Sequence, residues 1–209
     1  MDRFGSAAVE WAAGSETAQE VARGIAVNRV VLVEGVSDVA AALALALRRG
    51  LDLEAGLTCV IPMGGATNIS RFLELLGPPG LDLQIGGLCD AREERYFRRA
   101  AERTGLAANP DRSDMESLGF FVCDADLEDE LIRALGTTAV EGVIESLGDL
   151  EAFRTFQNQP AQRVRPIERQ LRRFMGTLSG RKEKYARALV DALDLDEVPR
   201  PLDLLVARF

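Results

Sequence analysis

Val30-Val31-Leu32-Val33-Glu34-Gly35-Val36-Ser37-Asp38 sets four strand-forming residues against a carboxylate, a glycine and the start of a helical pattern. Further along, Ile85-Gly86-Gly87-Leu88-Cys89-Asp90-Ala91-Arg92-Glu93-Glu94 repeats the arrangement. Apolar runs this short, closed by acids and followed by helical sequence, read as buried parallel strands. The C-terminal ends of such strands are where open α/β sheets keep their chemistry. Acids from two strand ends can share a cation, because carboxylate oxygens are the hard ligands that Mg²⁺ prefers and Gly35 lets the backbone turn sharply. Metal-assisted phosphoryl chemistry is the expectation that follows.

Working outward, the same pattern predicts strands over 58–61, 86–89 and 119–122 beside the first at 30–33, with helices over 37–49, 69–76, 92–103 and 127–135. Ser37 is the expected N-cap of the first of these helices, and Gly77-Pro78-Pro79-Gly80 stops the second. One or two short helices precede them over 6–26, and Asn109-Pro110-Asp111-Arg112-Ser113-Asp114 reads as a polar loop. Repeated β-α-β order implies a Rossmannoid α/β fold, a roughly four-stranded parallel sheet flanked by helices on both faces. After Asp126 only helical periodicity continues. The expected organisation is an N-terminal helical segment at 1–28, an α/β domain at 29–136 and a basic helical extension at 137–209 packed on it.

Composition narrows the chemistry. The 209 residues contain no histidine, which removes Ser-His-Asp and Cys-His relays, His-based zinc sites and imidazole proton transfer. Cys59, Cys89 and Cys123 lack metal-ligand spacing and sit in or beside apolar runs, so they read as reduced packing residues. The longest apolar stretch, 39–47, is too short to span a bilayer, and no signal-peptide pattern opens the chain; a cytoplasmic protein without a membrane partner is expected. The net charge is −8, yet 154–187 holds ten bases and two acids, +8, leaving −16 on the rest. An acidic body able to hold cations, joined to a basic segment able to hold a polyanion, suits a phosphate-cutting protein. The same arginines would equally serve by solvating amphipathic helices and pairing with the acidic body.

The Val31-Leu32-Val33-Glu34-Gly35 phrase with Asp38 behind it, the Gly64-Gly65-Ala66-Thr67-Asn68 turn and the later strand ending in Asp90 resemble a TOPRIM domain, more narrowly that of OLD-family nucleases. The resemblance covers roughly 30–135. It continues more weakly through Arg181-Lys182-Glu183-Lys184-Tyr185 and Val198-Pro199-Arg200-Pro201. It implies a TOPRIM-like fold and a Mg²⁺- or Mn²⁺-dependent DNA nuclease or nickase using acids from three strand ends.

By that resemblance Glu34 is catalytic, binding metal or relaying a proton, and Asp38 is the second acid of its pair, although an acid in a first helical turn is also a routine dipole partner. Asp90 matches the first acid of an Asp-x-Asp pair whose second position is here Arg92. That departure removes one ligand and adds a cation, so two-metal chemistry becomes less certain unless the arginine faces substrate phosphate. Glu93 or Glu94 could restore the ligand, or the two could simply initiate a helix. Glu128 is the expected metal ligand after the fourth strand, with Asp126 and Asp124 in support, unless these acids serve as helix caps. Lys182 resembles the lysine that stabilises developing phosphate charge, with Lys184 as its competitor. Gly64 and Gly65 could bring backbone N–H groups to a phosphate, and Arg92, Arg172 and Arg173 are further candidates for phosphate or DNA contact. No Gly-x-x-x-x-Gly-Lys-Ser/Thr pattern occurs, so the ATPase usual in OLD nucleases is expected from a separate partner or not at all; a homodimer is also compatible. Two alternatives stand beside the nuclease: a hydrolase of small nucleotides, and a weakly catalytic or noncatalytic TOPRIM module serving an ATPase.

Overall fold

The computed structural model describes residues 2–176 and 181–209. At its centre β1 (Arg29–Val33) lies between β2 (Thr58–Pro62) and β3 (Gln84–Asp90), and β4 (Phe120–Cys123) forms the edge beyond β3. All pairings are parallel, with Val31 aligned to Val60 on one side and Gly86 on the other, and Gly87 to Phe120. The order β2-β1-β3-β4 means that the chain leaves β1 toward one side of the sheet and returns on the other. A crevice therefore opens between the C-terminal ends of β1 and β3, the place where open sheets of this kind bind ligands.

Because β-strand side chains alternate, β1 feeds two cores at once. Val30 and Leu32 join a layer built from α1 (Asp2–Ala12), α2 (Glu16–Arg23), α4 (Ile69–Leu76), α5 (Glu94–Arg103) and α6 (Arg112–Leu118). Val31 and Val33 face the opposite layer, made by α3 (Val36–Arg48), α7 (Leu127–Leu135), α8 (Thr137–Ser146), α9 (Leu150–Gln157), α11 (Ile167–Met175), α12 (Arg181–Ala192) and α13 (Arg200–Val206). A short helix, α10 (Pro160–Arg163), links α9 and α11. All four of these β1 side chains are fully buried; each contributes roughly 1.5–3 kcal/mol over an exposed position. β1 thus reads as an unbroken apolar run because neither face meets water.

The expected α/β architecture is present, as is the helical C-terminal part. Three local expectations are corrected. The helix after β1 starts at Val36 behind Gly35, not behind Ser37, because the Asp38 carboxylate reaches back to the Gly35 N–H at 2.9 Å and closes the first turn itself. The helix expected from 92 begins at Glu94, after a turn through 91–93. The segment read as a polar loop becomes α6, whose capping box pairs Asp111 and Asp114 reciprocally, each carboxylate accepting the other's backbone N–H at 2.9 Å. The three cysteines are buried and unbridged, and burial raises the Cys89 and Cys123 thiols well above their usual range. Among the described residues no helix is long and apolar enough to cross a membrane.

Candidate metal centre and adjoining basic cleft

Glu34 is the first residue beyond β1 and Asp90 the last of β3, so the sheet itself delivers both to the crevice. Glu93 arrives from the turn that follows. One carboxylate oxygen from each of Glu34, Asp90 and Glu93 lies within 4.8 Å of the other two, a spacing one ion could bridge. None of the three makes an ion pair among the described residues, and Glu93 Oε2 is buried without a hydrogen-bond partner. A buried carboxylate oxygen left unpaired is costly, and a divalent cation would satisfy it. The donor set, three oxygens and no soft ligand, fits Mg²⁺ or Mn²⁺.

Their electrostatics carry the same mark. Glu34 is pushed up to about 7, first by desolvation, then by its hydrogen bond to Glu93 and by that neighbour's charge. Asp90 also rises to about 7, again chiefly by desolvation, then by the charges of Asp126, Glu34 and Glu93. Asp38 reaches about 7 through desolvation, although the Gly35 N–H pulls it down. Like charges crowded into a poorly hydrated crevice keep protons that a cation would displace.

The glycine turn after β2 has a different task from the one expected of it. Gly64 and Gly65 adopt φ of 70° and 122°, conformations that L side chains rarely tolerate. Their N–H groups donate to the Glu34 carbonyl at 3.0 and 3.2 Å, and the Asn68 amide closes the turn on the Met63 carbonyl at 2.8 Å. Those amides are therefore spent on holding the Glu34 backbone and do not face outward toward a phosphate.

The acids expected after β4 are near the crevice but already neutralised. Asp126 caps α7, accepting the Asp129 N–H, and pairs with Arg172; its pKa is raised, mainly by desolvation. Glu128 is 8% exposed, and Lys182 Nζ approaches its Oε1 at 3.2 Å, an ion pair whose angle falls outside hydrogen-bond geometry. Burial pulls the lysine's pKa down, but Glu128, Asp126 and Asp38 outweigh it and hold the ammonium charged. Asp124, by contrast, is largely exposed and 3.7 Å from Arg133. Glu94 is drawn off by Arg112 at 2.5 Å, which separates it from Glu93 and settles which of the adjacent pair turns inward. Lys184 also points elsewhere, donating to the Leu147 carbonyl at 3.3 Å on the far side of α12.

Beside the acid cluster opens a cleft of about 710 Å³ lined by Arg92, Arg165, Arg169, Arg172, Arg173 and Lys182, with Asp126 and Glu128 at its base. Six basic groups face two acids that are each already paired. Arg92, Arg172 and Arg173, the arginines expected to contact phosphate, all line this cleft, Arg172 already paired with Asp126; Arg165 and Arg169, read only as part of the basic segment, line it with them. Helix α11 places Arg169, Arg172 and Arg173 together because residues three and four apart share a face, and Arg165 joins them from the bend just before the helix; that periodicity was the available signal.

Comparison with known proteins bears on the same region. Residues 27–91 match the family model described as Overcoming lysogenization defect protein-like, TOPRIM domain. The C-terminal region of the Burkholderia pseudomallei OLD protein aligns over 88% of this chain and 97% of its own, at 25% identity and a TM-score of 0.65. The corresponding region of the Xanthomonas campestris pv. campestris OLD protein aligns over 87% and 93%, at 25% identity and a TM-score of 0.66. No curated protein matches the chain.

Proposed function

Because this chain carries an OLD-like TOPRIM domain, we propose that it is a metal-dependent phosphodiesterase acting on DNA, with Mg²⁺ or Mn²⁺ held by Glu34, Asp90 and Glu93. The observation that carries this reading is the convergence of those three carboxylates, none in an ion pair among the described residues and one with a buried orphan oxygen, at the switch point of the sheet. A bound divalent cation would supply charge to a phosphate oxygen and make water a better nucleophile near neutral pH.

The chain's own residues do the rest. The strand ends of β1 and β3 fix the positions of Glu34 and Asp90, and the Gly64-Gly65 amides hold the Glu34 backbone. Glu34 can hold the ion through one carboxylate oxygen and leave the other to accept the proton of the attacking water. Water oxygen bonds to phosphorus, the bond from phosphorus to the leaving oxygen breaks, and that oxygen takes up a proton. Lys182, charged and facing the cleft, offsets the negative charge that builds on the phosphate, while the Arg side chains of α11 hold the strand. Tyr185 is no nucleophile: its hydroxyl donates to Asp149 at 2.8 Å, and it is packed in the core of the helical layer.

Supercoiled plasmid incubated with protein and Mn²⁺ should be converted to the nicked form, with no conversion in chelator. Glu34→Gln and Asp90→Asn should each lower the rate by at least 10³-fold while leaving the circular dichroism unchanged. Nicking that survives both substitutions sinks the reading.

A further inference from the structure

How many cations the crevice can take is decided by which acids are already spent. Three oxygens, from Glu34, Asp90 and Glu93, lie together, and among the described residues none of these acids makes an ion pair. Every other acid around them is occupied: Asp38 by the Gly35 N–H, Asp126 by Arg172, Glu128 by Lys182 and Glu94 by Arg112. Asp38 accepts the Gly35 N–H through one oxygen only, but every further ligand for a second ion would have to be taken from a resident guanidinium or ammonium, and that ion would then sit among the basic groups that line the cleft. Coulomb repulsion in a partly desolvated site opposes both steps.

Arg92 supplies what a second ion would otherwise provide. It lies two residues beyond Asp90, on the turn that also carries Glu93, and lines the cleft next to the acid cluster. It is exposed, and among the described residues its guanidinium makes no ion pair or hydrogen bond, unlike Arg172 and Lys182. A free planar fork of donors is matched to two phosphate oxygens at once.

Resting on the phosphodiesterase reading, we propose that this protein works with a single divalent cation at Glu34, Asp90 and Glu93, and that Arg92 grips the scissile phosphate from the cleft side in place of a second ion. The division of labour follows from the backbone: one strand end, β3, sends a ligand to the ion through Asp90 and a cation to the substrate through Arg92.

The test counts ions and weighs phosphate contact separately from cleavage. Mn²⁺ titrated into wild type at pH 8 and followed by electron paramagnetic resonance should saturate at one ion per chain, and Glu34→Gln should abolish that binding. In chelator, where nothing is cleaved, Arg92→Ala should weaken binding of a fluorescent 12-nucleotide single strand by about 5–10-fold and lower the salt slope by about one unit, with an unchanged melting temperature. Saturation at two ions overturns the single-cation proposal and leaves the phosphodiesterase reading intact. Unchanged oligonucleotide affinity and slope in Arg92→Ala overturns the role of Arg92. One ion per chain without plasmid nicking overturns the phosphodiesterase reading instead.

Discussion

The acids that follow β1 and β3 and the acids that follow β4 lie around one crevice, yet their surroundings are opposite. Asp124, Asp126, Glu128, Asp129 and Glu130 each have a basic partner, supplied by Arg133 within α7 or by Arg172 and Lys182 from the C-terminal helices. Glu34, Asp90 and Glu93 have none among the described residues; the buried strands β1 and β3 bring the first two there, and the turn after β3 brings Glu93. A fold selected only for stability would neutralise both groups. Around this crevice, the contrast separates acids neutralised within the chain from acids left without an ion pair among the described residues.

The sharpest way to break that contrast is to ask whether the unpaired acids behave as a ligand set. Ligation needs carboxylates, and Glu34 and Asp90 hold their protons up to about pH 7. Mn²⁺ affinity should therefore rise by about 10–100-fold from pH 6 to pH 8 and flatten above, with proton release on binding, measured by calorimetry in two buffers of different ionisation enthalpy. An affinity independent of pH over that range would mean that these groups are not the ligands.

A second route acts through the backbone. Gly65 at φ 122° has nothing within 4 Å of where a Cβ would stand, so Gly65→Ala brings strain without a clash. The turn should relax, cost about 1–2 kcal/mol and loosen the two N–H groups on the Glu34 carbonyl. Nicking should fall by about tenfold with Mn²⁺ affinity reduced in step. Equal loss of stability with full activity would deny the turn its positioning role.

Much of this was legible beforehand, for identifiable reasons. Val30 to Val33 could be read as a strand because burial on both faces demands an unbroken apolar run, and Glu34 and Asp90 stood out because acids ending such runs have no packing role. The choice between Glu93 and Glu94 was not legible, since it depends on Arg112, eighteen residues away in sequence and adjacent only after folding. Pairing of Glu128 with Lys182 was hidden for the same reason, because it requires α12 to lie along α3 and meet α7. The Gly64-Gly65 turn was recognised as special, but whether its amides face substrate or the Glu34 carbonyl is a tertiary fact. Helix α6 was missed because Asn109-Pro110 and the charged residues after it carry turn chemistry, and the reciprocal Asp111–Asp114 cap that starts the helix uses the same residue types.

Within the acidic set Asp38 stands between the two groups: it has a backbone partner but no cation. Its raised pKa means that folding disfavours its charged form. The metal-free protein should thus keep this contribution fully below about pH 4 and lose it as pH climbs through about 7. Asp38→Asn retains an oxygen for the Gly35 N–H and removes the charge, so in chelator it should stabilise the protein at pH 8 by about 1–3 kcal/mol, and by less at pH 5. A destabilised variant at pH 8 would show that the carboxylate, not merely an acceptor, closes the first turn of α3.

The smallest effect is expected at Lys184, and its contrast with Lys182 separates neighbours that sequence could not. Lys182 and Lys184 sit two positions apart, about 200° around the helix, so they cannot both face the crevice. Lys182 is tied to Glu128 in the cleft, whereas Lys184 donates to the Leu147 carbonyl at an exposed position. Lys182→Ala should leave Glu128 buried without a counter-charge, lowering stability by about 1–3 kcal/mol and nicking by about 10²-fold. Lys184→Ala should change stability by no more than about 0.5 kcal/mol and leave the nicking rate untouched. Should Lys184→Ala cripple nicking and Lys182→Ala spare it, the cleft would not be where the phosphate lies, and the division between neutralised and unneutralised acids would lose its functional meaning.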